Sequence, residues 1–342
     1  MDKAAPVIAV VGGNSLLGRE VRDLLAGTRI TTKLIGVDET EAGMLTEQGG
    51  EPAVLTALDE DNLAGAEAAL LAGSAESSRK ALEIVRRTKS GSALIDLTYV
   101  LEDRPTANLR APMAEPANYA VPPDAEHVIA HPAAILLAVL LVRLSRLRPL
   151  RRSVAQVFEP ASERGMRGVD EMQKQTTGLL TFQKLPKAVY DEQVAFNLLA
   201  EFGSESGESI ERIEARIEKH LATLLAINAN VPMPSFRVVQ APVFHGYSIS
   251  VWVEFEDNPG AAFFEQALAG ELIDVRGPDL DPPNIVGVAG QDGLALGAIR
   301  QDPNNPRAVW FWLVADNIRI AAENAVAVAR SLIGHHGTAK PQ

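Results

Sequence analysis

Val7-Ile8-Ala9-Val10-Val11-Gly12-Gly13-Asn14-Ser15-Leu16-Leu17-Gly18 is the stretch that decides the fold class. Five consecutive apolar residues suit a strand buried on both faces. A glycine-bearing turn follows at once, and Leu16, Leu17, Val21, Leu24 and Leu25 then recur at helical spacing. Leu34-Ile35-Gly36-Val37 reads as a second strand ending at Asp38. Together these form a βαβ unit with the crossover that a parallel sheet requires. The turn has the spacing G-x-x-S-x-x-G, with Ser15 where a dinucleotide fingerprint carries glycine. At such a turn the amides of a helix N-terminus can approach a pyrophosphate. A purely structural strand–helix turn asks for the same glycines, so both readings stay open. Asp38 and Glu39 stand where an acid can bond a ribose 2′-hydroxyl and repel a 2′-phosphate, which favours NAD over NADP if a dinucleotide binds. Two acids capping a turn is the alternative.

The 342 residues are 46% hydrophobic and 22% charged, as in ordinary folded proteins, and the length allows roughly two domains. The chain contains no cysteine, so it has no disulfide, thiolate metal site, iron–sulfur cluster or cysteine nucleophile. Its 32 basic and 44 acidic residues leave a net charge of −12, which disfavours a nucleic-acid partner. The one basic cluster, Arg143, Arg146, Arg148, Arg151 and Arg152, reads as a solvated helix end and strand start around Pro149. Met1-Asp2-Lys3 leads straight into the first strand with no signal-peptide pattern. The apolar run Ala133–Val142 is well short of the roughly 20 residues a membrane span needs. The expectation is a cytoplasmic protein with no membrane contact. None of His127, His131, His220, His245, His335 and His336 has the spacing of a metal site, so no metal is expected. No G-x-S-x-G elbow marks a serine nucleophile.

Further strands are read at Ala66–Ala72 and Ala93–Leu97, with a helix over about Ser77–Arg87 between them. Residues 101–125, with Pro105, Pro112, Pro116, Pro122 and Pro123, read as loop closing the first half. In the second half, helices are read over 133–147, from Gly168, from Ile210 and over Asn317–Leu332, the last ended by Gly334 with a frayed tail from His335. The helix from Ile210 carries Ile213, Ile217, Leu221, Leu224 and Leu225 on one stripe, as for a helix lying on a sheet. Strands at Ser153–Phe158, Phe236–Gln240, Tyr247–Phe255, Ala295–Arg300 and Trp310–Val314 read as a mixed or antiparallel sheet.

Several stretches, in their order and spacing, resemble the aspartate-semialdehyde dehydrogenase family along nearly the whole chain. They are Val7–Gly18, Leu71–Ser74, Val128–Pro132, Glu192–Asn197, Pro242–Ser248 and Trp312–Arg319. The resemblance implies an α/β fold: a Rossmann-type NAD(P)-binding domain over 1–130 with the C-terminal helix 315–334, and an α+β catalytic and dimerisation domain over 131–314. It implies cofactor contacts from Gly12, Asn14, Ser15, Leu16, Leu17 and Gly18, from Asp38, and from Ala72, Gly73 and Asn317. A chain that binds no nucleotide is left open.

The family's reaction adds a cysteine thiolate to an aldehyde, passes hydride to NADP and releases the acyl thioester to phosphate. The resemblance places that cysteine at Ala134, within His131-Pro132-Ala133-Ala134-Ile135-Leu136. It places the general-base histidine at Tyr247, with His245 two residues earlier as a displaced alternative. The arginine that clamps the substrate carboxylate falls at Gln240, with Arg237 nearby but out of register, and the phosphate-binding arginine falls near Glu102. The substrate-orienting glutamine is read as kept at Gln156. Nucleophile, base, clamp and phosphate site are thus unmatched together. This leads to the expectation of a homodimeric pseudoenzyme. Two alternatives are an NAD-dependent oxidoreductase of thiol-independent chemistry, using Gln156, Tyr247 or His245, and a scaffold or regulatory partner of an active relative.

Overall fold

A computed structural model describes residues 5–122, 125–228 and 231–333. Met1–Lys3, Pro123, Gly334 and the tail from His335, on which readings above fall, lie outside the described residues. The chain divides into two units. Unit 1 comprises residues up to Pro112, Ala117–Ala130 and the chain from Ala321 onward; unit 2 comprises Met113–Pro116 and His131–Ile320.

Unit 1 runs β1 (Val7–Val11), α1 (Leu16–Leu25), β2 (Thr31–Ile35), β3 (Leu45–Gln48), β4 (Glu51–Val54), α2 (Glu60–Leu63), β5 (Ala68–Leu71), α3 (Ala75–Thr88), β6 (Ala93–Asp96), β7 (Ala107–Arg110) and β8 (Glu126–Ile129). Six strands form one sheet in the order β2-β1-β5-β6-β8-β7, every pairing parallel. The central β1 and β5 are buried on both faces, which is why they read as unbroken apolar runs. The edge strand β2 begins at Thr31, three residues before the expected Leu34, because an edge tolerates the polar Thr31-Thr32-Lys33. Residues 101–125 are not all loop. The proline-free segment between Pro105 and Pro112 supplies β7, and its prolines fall outside the ladder, as they must. The β3–β4 hairpin is a further element without a signal in the apolar pattern.

Unit 2 runs α4 (Pro132–Leu147), β9 (Leu150–Glu159), a 3₁₀ turn (Ala161–Arg164), α5 (Gly165–Leu180), α6 (Ile210–Ala226), β10 (Ser235–Gln240), β11 (Tyr247–Phe255), α7 (Ala261–Leu268), β12 (Ile273–Arg276), β13 (Leu294–Gln301), β14 (Ala308–Ala315) and α8 (Asn317–Ile333), whose residues from Ala321 belong to unit 1. The strand order is β10-β9-β11-β14-β13-β12, with antiparallel centre and parallel edge pairs. α4 is apolar nearly all round and accordingly buried, and α6 buries the stripe from Ile213 to Leu225. No described helix is long and apolar enough to cross a membrane.

The alternation of the strands separates two sheet faces. One packs on α4, α6 and α7. The register puts Val154, Trp252 and Trp310 in one row of the other face, and Gln156, Ser250 and Trp312 in the next. All three tryptophans of the chain therefore share one face. Trp310 is 42% exposed and Val154 47%.

From within α5, the fully buried Gln175 holds an otherwise irregular loop. Its Nε2 donates to the carbonyls of Pro186 (2.8 Å) and Glu192 (2.9 Å), and its Oε1 accepts from Val194 N (2.8 Å) and Ala195 N (3.1 Å). Gln175→Ala should cost about 3 kcal/mol in urea denaturation, since four backbone groups, those of Val194 and Ala195 buried, lose their partner together. A loss under about 1 kcal/mol would show that the loop is held by other contacts.

Candidate functional site

In unit 1 the turn after β1 is built by close backbone approach. Gly12 N and Gly13 N donate to Ile35 O at 2.9 and 3.0 Å. A Cβ on Gly12 (φ +80°) would lie 2.2 Å from Gly73 Cα, and one on Gly18 would lie 2.1 Å from Gly12 O. Packing alone thus demands these glycines. Ser15 caps α1, its Oγ accepting from Gly18 N (2.9 Å) and donating to Ala72 O (2.6 Å). Asn14 Oδ1 accepts from Arg19 Nη2 at 2.8 Å. The amides of Leu16 and Leu17, first and second in the helix, are left as its orphan donors at the positive end of the dipole. That donor pair fits the pyrophosphate of a dinucleotide, so Gly12, Asn14, Ser15, Leu16, Leu17, Gly18, Ala72 and Gly73 form one locus. Asp38 is exposed, and its Oδ1 accepts from Thr40 N (2.8 Å) and Thr40 Oγ1 (2.5 Å), which holds its carboxyl below the usual range.

Unit 2 contains a buried ionic cluster at the start of α4. Pro132 opens the helix and His131 caps it, Nδ1 accepting from Ala133 N at 3.3 Å. The backbone N–H of His131 donates to His220 Nδ1 at 3.0 Å. Across from it, Arg164 Nη2 donates to Glu159 Oε1 at 2.9 Å, and Glu163 Oε2 lies 3.6 Å from His131 Nε2. Gln240 Nε2 donates to Glu159 O at 2.9 Å, and Tyr247 Oη approaches Glu159 Oε2 at 3.5 Å. The Asn317 amide closes the cluster: Nδ2 donates to Glu163 Oε1 (2.7 Å), while Oδ1 accepts from Gly246 N (2.9 Å).

Burial, and then the Glu159 carboxylate, push Glu163 from its ordinary 4.5 up to about 7, against the pull of Arg164 and of the Asn317 amide. Burial likewise raises Glu159, with Arg164 opposing. Burial works against the charge of Arg164, but Glu159 and Glu163 outweigh it and hold the guanidinium charged. Burial first, then His220, Arg164 and Arg216, keep His131 neutral. A carboxyl that titrates near 7 can hold or pass a proton; no cysteine stands beside it, and Ala134 is fully buried in the first turn of α4.

Gln240 and Tyr247 therefore meet at one residue, Gln240 on the backbone carbonyl of Glu159 and Tyr247 on its carboxylate, and Ala134 follows the His131 cap. Gln156 does not join them. It lies three residues from Glu159 on the opposite sheet face, its Nε2 donating to Arg237 O at 3.1 Å. His245 is exposed, because β11 begins only at Tyr247 and Gly246 (φ +86°) breaks the alternation that would align the two side chains. Arg237 pairs on the surface with Glu214 at 2.9 Å. Asn317, read as a cofactor contact, is buried with both amide atoms spent on the cluster. Glu159, Glu163 and Arg164 had one sequence signal: Glu159 is in phase with the buried Ala155 and Val157. Among the described residues no group of three or more His, Cys, Asp or Glu could hold a metal ion.

Because Glu163 titrates higher folded than unfolded, the native chain holds a proton between pH 4.5 and about 7 that the unfolded chain has released. Its contribution to stability is then greatest in acid, falls as pH rises through that window and levels off above about 7. Urea titrations at about pH 5 and pH 8 should show the wild type losing on the order of 2 kcal/mol relative to Glu163→Gln across that range. Equal pH slopes in the two proteins would place the proton elsewhere.

Residues 144–320 match the semialdehyde dehydrogenase dimerisation domain. An aspartate-semialdehyde dehydrogenase of Rickettsia bellii (strain RML369-C) is 28% identical over 337 residues, 95% of this chain and 97% of that one. A USG-1 protein homolog of Pseudomonas aeruginosa is 32% identical over 273 residues, 78% of this chain and 79% of that one. The structure of a probable aspartate-semialdehyde dehydrogenase from Pseudomonas aeruginosa matches with a TM-score of 0.84 at 28% identity, covering 97% of this chain and 99% of that one. With its parallel sheet in unit 1 and mixed sheet in unit 2, the chain belongs to the semialdehyde dehydrogenase family.

Proposed function

We propose that this chain is a dimeric, dinucleotide-binding pseudoenzyme of that family, unable to carry out phosphorylating aldehyde oxidation. The observation that carries the reading is Ala134, a buried methyl side chain at the nucleophile position in a chain without cysteine. A methyl group has no lone pair with which to attack a carbonyl. Gln240 and Tyr247, at the clamp and base positions, are engaged with Glu159. Unit 1 keeps the donors of a nucleotide turn in Leu16 and Leu17; a bound dinucleotide would supply hydride chemistry. A second reading, thiol-independent chemistry on another carbonyl compound, has one observation in its favour, the Glu163 carboxyl pushed up to about 7 beside the His131 ring.

With aspartate semialdehyde, phosphate and either NAD or NADP, no change in nicotinamide absorbance is expected from the wild type. Ala134→Cys should be equally silent, because the base and clamp remain unmatched. Steady turnover by the wild type would overturn the reading.

The partner in this proposal is a second copy, seated on the tryptophan-bearing sheet face. An apolar surface of this kind, exposing Trp310 and Val154, is costly to leave in water. Trp310→Glu should shift micromolar protein from dimer to monomer in sedimentation velocity with its circular dichroism unchanged. A wild type that sediments as a monomer would remove the dimer from the proposal.

A further inference from the structure

We propose that Glu41, and not Asp38, is the carboxylate that selects the dinucleotide in unit 1, restricting the turn to nucleotides whose ribose carries a free 2′-hydroxyl. The proposal rests on the reading that the Gly12–Gly18 turn takes a dinucleotide.

The geometry starts at the end of β2. Ile35 O binds Gly12 N and Gly13 N, so the strand end is stapled to the turn. Two residues further on, Val37 N donates to Glu41 Oε2 at 2.8 Å. The Glu41 side chain folds back so closely that a Cβ on Gly36 would lie 2.8 Å from its Cβ. Val37 Cγ1 would lie 2.6 Å from a Cβ on Gly73, which itself packs against Gly12. Strand end, turn and Gly73 are therefore contiguous, and the half-buried Glu41 carboxylate sits at their junction. One oxygen is pinned by Val37 N; the other has no partner among the described residues.

Asp38 has a different task. Its Oδ1 closes the turn through Thr40 N and Thr40 Oγ1, and that turn carries the chain back to Glu41. Asp38 is exposed and lies near the Lys80 ammonium, so its charge is screened by water and partly offset. A carboxylate at the strand end can accept from a ribose 2′-hydroxyl, whereas a 2′-phosphate there needs an arginine. Glu41 meets the first requirement, and its fixed charge opposes the second. Asp38 is its positioning residue.

The test is isothermal titration calorimetry of the full chain with NAD and with NADP. The wild type is expected to bind NAD at least tenfold more tightly than NADP. Glu41→Gln keeps an acceptor for Val37 N but loses the charge, and should reduce that ratio about tenfold. Asp38→Asn keeps the Asx turn and should change the ratio less than threefold. A larger effect at Asp38, or a wild type that binds both nucleotides equally or prefers NADP, overturns the assignment while leaving the dinucleotide reading standing. No heat and no thermal shift with either nucleotide at millimolar concentration would remove that reading and the proposal with it.

Discussion

Arg164 imposes the constraint on which the rest of unit 2 depends: a guanidinium taken out of water must be matched by charge within reach. Removing an ion from water costs several kcal/mol even after relaxation, and only well-placed opposite charges and hydrogen bonds offset it. Glu159 supplies the first match at 2.9 Å, and Glu163 and Glu208 add negative potential. Those carboxylates need partners of their own. Tyr247 reaches the Glu159 carboxylate from β11 and Asn317 reaches that of Glu163 from the start of α8, while Gln240 holds the Glu159 backbone carbonyl from β10. One buried cation thereby draws together the end of β9, the start of β11 and the beginnings of α4 and α8. Polar groups that could face a ligand face one another.

The histidines follow from the same constraint. His131 Nδ1 and His220 Nδ1 each accept a backbone N–H, which leaves the proton of each neutral ring on Nε2. His131 then presents Nε2–H toward Glu163 at 3.6 Å. Ionised Glu163 accepts from Asn317 Nδ2 at 2.7 Å, and a proton on that oxygen would oppose this donor. Burial and the Glu159 charge favour the protonated acid, while the Arg164 charge and the Asn317 donor favour the carboxylate. The balance of the two lies near neutral pH.

Much of this was legible in the sequence, for reasons that differ by element. Ile249, Val251, Val253 and Phe255 alternate cleanly because β11 lies mid-sheet with one face on helices, and its predicted and observed limits coincide. The α6 stripe was equally legible. β7 was not, since an edge strand needs little apolar character and Ala107-Asn108-Leu109-Arg110 has little. Within the cluster, Glu159, Glu163 and Arg164 fall between the strand read to Phe158 and the helix read from Gly168; only strand parity marks Glu159, and the same parity sends Gln156 to the opposite face. Glu41 has no local signal at all. Its position depends on a turn closed by Asp38 and Thr40, and residue type alone cannot distinguish a carboxylate folded over a strand end from one in solvent.

The two helix N-termini nearest the chemistry show how the chain has diverged between its halves. In α1 the cap is a hydroxyl that takes the third amide, Gly18 N, so the first and second amides keep their donors. In α4 the first residue is Pro132, which has no N–H, and the second amide, Ala133 N, is taken by the His131 ring. Of the first three positions, only Ala134 keeps an amide without such a partner. A helix start attracts anions through its orphan amides and its dipole together, and it lowers the pKa of a thiol placed there. α4 carries no thiol, and Pro132 and the imidazole lone pair of His131 leave it few free donors. α1 retains its donors, and the glycines that keep the turn open to them are held by packing as well as by any ligand. The capping chemistry of the two helices therefore differs: α1 starts with two unpaired amides, and α4 starts with its first donor absent and its second taken by the His131 ring.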